Sequence, residues 1–134
     1  MTVQKCYNLA RNASEFSDYR QHKLGCVAIY HNKVIAVAYN TNKSNPLQAR
    51  YNSERDFDSY KYPAKIHAEM AVIAKIRHME IDMSKVELYI YRGHANGIMA
   101  LSKPCRSCEK AIRDMGIKRI FYTGENSFIN ERYE

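Results

Sequence analysis

Four side chains in two short clusters carry the chemistry of this sequence: His67 and Glu69 in His67-Ala68-Glu69, then Cys105 and Cys108 in Pro104-Cys105-Arg106-Ser107-Cys108. An imidazole and two thiols are zinc-type ligands, and together they fill three of four tetrahedral positions. The fourth is left for water, which is the pattern of a catalytic centre rather than a closed structural one. Zinc (Zn2+) is the ion such a set prefers; it brings a water toward neutrality and leaves a neighbouring carboxylate, Glu69, to move protons. Read singly, each cluster has other meanings. A C-x-x-C pair also fits redox chemistry, and Glu69 as a fourth ligand would close the site into a structural one. Together the clusters are specific, since both patterns in this order should arise in roughly one random chain of this length in several thousand.

The spacings dictate the elements that hold them. Cys105 and Cys108 are three apart, which on a helix puts them on one face. His67 and Glu69 are two apart and would diverge on a helix side, so they converge only where a helix points its N-terminal end at the site. Pro63 suits a first helical turn, the run Ile66 to Met79 has no Gly or Pro, and Pro104 precedes Cys105 in the same way. Two helix N-termini are therefore expected to face one another across the metal, their unpaired N–H groups and positive dipole ends favouring thiolate over thiol.

Around these motifs the sequence predicts one domain over residues 1–134. Val3, Cys6, Tyr7, Ala10, Ala13 and Phe16 recur at helical spacing. Leu24 to Tyr30 and Val34 to Tyr39 are β-rich runs joined at His31-Asn32-Lys33, a hairpin. Thr41 to Lys65 is a long polar segment of the kind that forms substrate loops or surface insertions. The motif helix, from about Ala64 to His78, is apolar nearly all round and so is expected to be buried. Val86 to Tyr91 is the next strand, Cys105 to Met115 the next helix, capped by Gly116, and Ile117 to Thr123 a final strand. The fold class is α/β: an antiparallel hairpin, then two units whose strands run parallel to their predecessors through right-handed crossovers. The loop Arg92 to Lys103 leaves the carboxyl end of a parallel strand, where α/β sheets bind ligands, and His94 and Asn96 are its most polar candidates for substrate contact, against a plainer reading as solvated loop residues. His22, His31 and His78 belong to no ligand pattern and read as ordinary histidines.

Composition bounds the partners. With 21 basic and 14 acidic side chains the net charge is +7, which favours an anionic partner, a nucleotide phosphate or a nucleic-acid backbone. No run approaches a membrane span, and Met1 to Ala10 lacks the features of a signal peptide, so no membrane partner and a cytoplasmic location are expected. Cys6 and Cys26 sit in apolar patterns and read as buried free thiols.

With His67-x-Glu69 and Pro104-Cys105-x-x-Cys108 on this element order, the chain resembles the cytidine deaminase-like superfamily over about Val3 to Thr123. It looks most like the deoxycytidylate deaminases, with the tRNA adenosine deaminases and polynucleotide cytidine deaminases next. The preference rests on a last strand reached by a helix from the cysteine motif, rather than by a hairpin as in the short nucleoside deaminases. The resemblance implies a three-layer α-β-α fold with a mixed sheet, His67, Cys105 and Cys108 as zinc ligands, and Glu69 as proton shuttle. It further implies that the Ala68 backbone N–H meets the base and that Asn40 holds the sugar, although Asn40 also reads as a plain turn residue after a strand. The activity implied is hydrolytic deamination of cytosine to uracil, in a free nucleotide or nucleoside such as dCMP, by a homo-oligomer. Two readings stay beside it: a deaminase acting on cytosine or adenine in single-stranded DNA or RNA, and a non-catalytic domain that binds nucleotide or nucleic acid.

Overall fold

The computed structural model describes residues 1–18, 22–41, 46–52, 67–93, 99–125 and 127–133. Five strands form one sheet in the order β2-β1-β3-β4-β5. The first two, β1 (Lys23–Tyr30) and β2 (Lys33–Tyr39), are the expected antiparallel hairpin. His31 and Asn32 both take positive φ at its tip, the backbone that a two-residue hairpin needs to match strand twist.

Next to β1 lies β3 (Val86–Gly93), antiparallel to it and so running in the same direction as its predecessor β2 without pairing with it. β4 (Arg119–Thr123) then pairs parallel to β3. The expectation from sequence ends there, but the structure adds β5 (Phe128–Arg132), antiparallel to β4. The last strand is thus reached by a hairpin after all, and the topological reason for setting this chain apart from the short nucleoside deaminases does not hold.

Alternation along β3 divides the interior into two layers. Val86, Leu88 and Ile90 join one cluster with α3 (Ala68–Ile76) and α4 (Arg106–Asp114), while Tyr89 and Tyr91 join another under α1 (Val3–Ser14). The result is the expected three-layer arrangement. α1 begins at Thr2, whose hydroxyl accepts the Lys5 N–H, and buries Cys6, Tyr7, Ala10 and Ala13 on the sheet. It lies so close to β1 that a Cβ on Gly25 would sit 1.9 Å from the Ala10 carbonyl oxygen. α3 carries Met70, Val72, Ile73 and Ile76 fully into the other layer, which agrees with its all-round apolar sequence. α4 ends at Gly116, with φ of +84°, where the Ile117 N–H turns back to the Ile112 carbonyl.

The segment read from sequence as polar loop contains a short helix, α2 (Pro46–Asn52), which packs against α3 and α4. Among the described residues no helix is long and apolar enough to cross a membrane.

Candidate zinc and substrate site

Both ligand clusters stand at helix starts. His67 and Cys105 are the N-cap residues of α3 and α4, each with extended backbone (ψ 157° and 169°) and neither spending its side chain on the cap. His67 being extended, α3 begins at Ala68, and the expected start near Ala64 lies outside the described residues; the cysteine helix begins after Cys105. The capping position explains how residues two apart converge. His67 projects from outside the helix and Glu69 from within its first turn, so both reach the space beyond the N-terminus.

A network at the carboxyl edge of the parallel strands sets the second cluster. Ser102 donates from its hydroxyl to the Ile90 carbonyl and accepts the Thr123 N–H at 2.7 Å, while the Thr123 hydroxyl donates to the Ala100 carbonyl at 2.7 Å. Residues 100–102 are thereby stitched between the ends of β3 and β4, and Pro104 and Cys105 follow directly. The first cluster is fixed from α2: the fully buried Gln48 accepts the His67 backbone N–H at 3.1 Å.

His67 Nδ1 lies 3.6 Å from Cys105 Sγ and 3.4 Å from Cys108 Sγ, and the three ligand atoms all fall within 4.8 Å of one another. For ligands at the usual zinc distances, the edge from nitrogen to sulfur of a tetrahedron is about 3.6 Å, so this donor set fits the ion as it stands. A hydrogen bond from Cys108 and the neighbouring His67 draw the Cys105 thiol down to about 2, against the opposing effect of burial. Cys105 is the ready thiolate such a site needs. Cys26, fully buried beside Glu69, is pushed the other way by desolvation, and with Cys6 it remains a buried free thiol.

Glu69 stands beside the ligand cluster and is 2% exposed, and its Oε1 has no hydrogen-bond partner among the described residues. Burial pushes its carboxyl above the ordinary value, with the charge of His67 opposing. A buried carboxyl whose proton is held more tightly than usual is suited to taking up and giving back a proton. A cavity of about 270 Å³ opens here, lined by Glu69, His67, Cys105 and Asn40, with His22, Leu24, Arg92 and Lys103 completing its wall. A similar hollow of about 290 Å³ over α2 and α4 holds none of the ligand set.

The chain's sequence from residue 1 to 124 matches the family model described as the cytidine and deoxycytidylate deaminase zinc-binding region. The chain belongs to that family. It is accordingly a zinc-dependent hydrolytic deaminase. Solved structures agree in fold. The apo dCMP deaminase of the cyanophage S-TIM5 superposes with a TM-score of 0.65 at 19% identity, covering 95% of this chain and 88% of that one. The cytidine deaminase of Burkholderia pseudomallei gives 0.68 at 15% identity, covering 98% and 93%. That of Mycobacterium tuberculosis gives 0.58 at 15%, covering 98% and 90%. Among curated proteins no sequence matches the chain.

In this deaminase the cavity is lined by four of the residues expected from sequence, His67, Glu69, Cys105 and Asn40, while Cys108 lies in the cluster with His67 and Cys105 and is not among the lining residues, nor is Ala68. Asn40 is there, but its amide also holds the sheet together. Its Oδ1 accepts the Leu24 N–H at 2.9 Å and its Nδ2 donates to the His22 carbonyl at 2.9 Å, tying the start of β1 to the end of β2. One Nδ2–H remains for a ligand. Ala68 is the first residue of α3, so its N–H has no partner within the helix. His94 and Asn96 lie outside the described residues.

Sequence reasoning passes over Gln48, Arg92 and Lys103, and takes His22 for an ordinary histidine. Only Arg92 carries a usable signal, since it continues the alternation of Leu88 and Ile90 toward the zinc layer.

Proposed function

We propose that this enzyme converts cytosine to uracil in a free pyrimidine nucleotide or nucleoside such as dCMP, consuming water and releasing ammonia. The observation that carries the reading is Glu69: a buried carboxylate with an oxygen that has no partner among the described residues, standing beside three residues that could hold zinc, in a cavity sized for one small ligand. A domain that only bound nucleotide would need no acid-base group there. The cyanophage dCMP deaminase, which shares the fold, has also been crystallised with dCMP and dUMP.

In this reading His67, Cys105 and Cys108 hold the zinc, and residues 1–134 act as one domain. Bound zinc supplies a water acidic enough to serve as nucleophile near neutral pH. Glu69 Oε1 accepts the proton that this water gives up and passes it to the ring nitrogen beside the carbon under attack. Glu69 would then take the remaining proton of the added hydroxyl and carry it to the exocyclic nitrogen, so that the carbon–oxygen double bond forms as the carbon–nitrogen bond breaks and ammonia leaves. The Ala68 N–H donates to the base, at a helix N-terminus that favours negative charge developing nearby. Asn40 offers its remaining Nδ2–H to the sugar.

The test is incubation of zinc-replete protein with dCMP, cytidine and a cytosine-bearing oligonucleotide, following uracil and ammonia. Turnover of dCMP or cytidine is expected; no uracil from any of the three overturns the cytosine reading.

A further inference from the structure

β3 delivers one charged side chain into the zinc layer. Val86, Leu88 and Ile90 are the apolar members of that face, and Arg92 is the next residue on it, at the carboxyl edge where the sheet meets the cavity. Its guanidinium is held from two sides. One terminal nitrogen donates to the Leu101 carbonyl at 3.4 Å and the other lies against His22 Nδ1, while Nε is buried and meets no acceptor among the described residues. Lys103, exposed at the rim, brings a second cation to the same wall. Among the described residues no carboxylate pairs with either cation, and Glu69 is the one acidic side chain lining the cavity. One carboxylate does not balance two positive charges.

Resting on the deaminase reading above, the geometry points to Arg92 and Lys103, with His22 bracing Arg92, as a subsite for the terminal phosphate of a nucleoside monophosphate. A phosphate monoester carries between one and a half and two negative charges at neutral pH, about matching two cations. A bare nucleoside brings no charge, and an internal phosphodiester of a strand brings one. A fixed planar guanidinium suits bidentate contact with phosphate oxygens, and an exposed lysine adds a mobile point charge. Cavity, cations and zinc cluster then divide the ligand: the base against Glu69 and Ala68, the phosphate against Arg92 and Lys103.

Two measurements separate this inference from the reading it rests on. Calorimetric titration of the zinc-loaded protein with dUMP and with deoxyuridine is expected to show dUMP binding roughly 100-fold tighter, the scale of two charge-assisted contacts. The preference should shrink about tenfold in Arg92→Gln and again in Lys103→Gln. Arg92→Lys, which keeps the charge and loses the fork, should retain part of it. Equal affinity for dUMP and deoxyuridine, or equal weakening of both ligands in Arg92→Gln, overturns the phosphate subsite whatever the enzyme turns over. Steady-state assays give the second arm, with the dCMP to deoxycytidine ratio of kcat/KM falling about tenfold or more in Arg92→Gln, mainly through KM. If dUMP binds tightly but no cytosine compound is turned over, the cytosine reading fails and the subsite stands.

Discussion

Gln48 and His67 are joined by a hydrogen bond from the backbone of one to the side chain of the other: the His67 N–H donates to Gln48 Oε1 at 3.1 Å, with Gln48 fully buried. The N-cap of α3 is thereby pinned by α2, and the imbalance of an unpartnered N–H next to a zinc ligand is avoided. Gln48→Met keeps the side chain's shape and removes the acceptor. Zinc affinity should fall about tenfold, as when outer contacts of metal ligands are removed, with a loss of about 1–3 kcal/mol in stability. Chelator competition and thermal melts read both effects. Unaltered zinc affinity in a folded variant would remove Gln48 from the positioning of His67.

Glu69→Gln should keep zinc and fold while lowering activity by at least 10²- to 10⁴-fold, since in the proposed mechanism it deletes the proton carrier and no ligand. Its melting temperature should not drop, because the native carboxylate is buried with an oxygen that meets no partner among the described residues, and its desolvation opposes folding. Elemental analysis that found the zinc gone would contradict the role assigned to Glu69.

Cys105→Ala removes one of the three proposed ligands, and site formation is coupled to folding, so metal and stability should be lost together. The expected result is a zinc stoichiometry well below one alongside a lower melting temperature. If both match the parent protein, His67, Cys105 and Cys108 are not the zinc set.

What is legible in the sequence divides by range. His67, Glu69, Cys105 and Cys108 can be read because each pair is bound to one helix start by local spacing, and the two starts need only meet. The hairpin, α1 and the buried character of α3 follow from periodicity for the same reason. The strand β5 escapes such reading because Phe128–Arg132 is only half-buried on alternate residues and carries a weak β signature at the sheet edge. Gln48 gives no sign of its role, as its partner is nineteen positions away and the helix carrying it lies in a polar stretch. Arg92 follows a strand that by sequence stops at Tyr91, and its burial depends on the stitching of residues 100–102 between β3 and β4.

Gly25 shows the same limit in the packing. Nothing local in Leu24-Gly25-Cys26 requires glycine, yet a Cβ there would meet the Ala10 carbonyl at 1.9 Å and the Ser14 nitrogen at 2.7 Å, both backbone atoms. Gly25→Ala must push α1 off β1, at a cost of about 3 kcal/mol or more by the measure of overpacked cores. Chemical denaturation should show the drop. A stability change within about 0.5 kcal/mol, on the scale of a neutral surface substitution, would mean that α1 sits farther from the sheet than described.

Salt dependence distinguishes a mononucleotide enzyme from one that works on strands. The net charge of +7 would draw either substrate, but a single strand is held through several phosphates, and releasing their counterions makes affinity fall by a slope of about 0.7 per phosphate on a log–log plot. At the proposed subsite a mononucleotide would engage one phosphate against Arg92 and Lys103, so its slope should be near one or below. With dCMP and a cytosine-bearing single strand competing at two salt concentrations, dCMP should be the better substrate at both, and its advantage should grow as salt rises. Faster turnover of the strand at low salt, fading at high salt, would assign the basic surface to a nucleic-acid backbone and reject the free nucleotide as substrate.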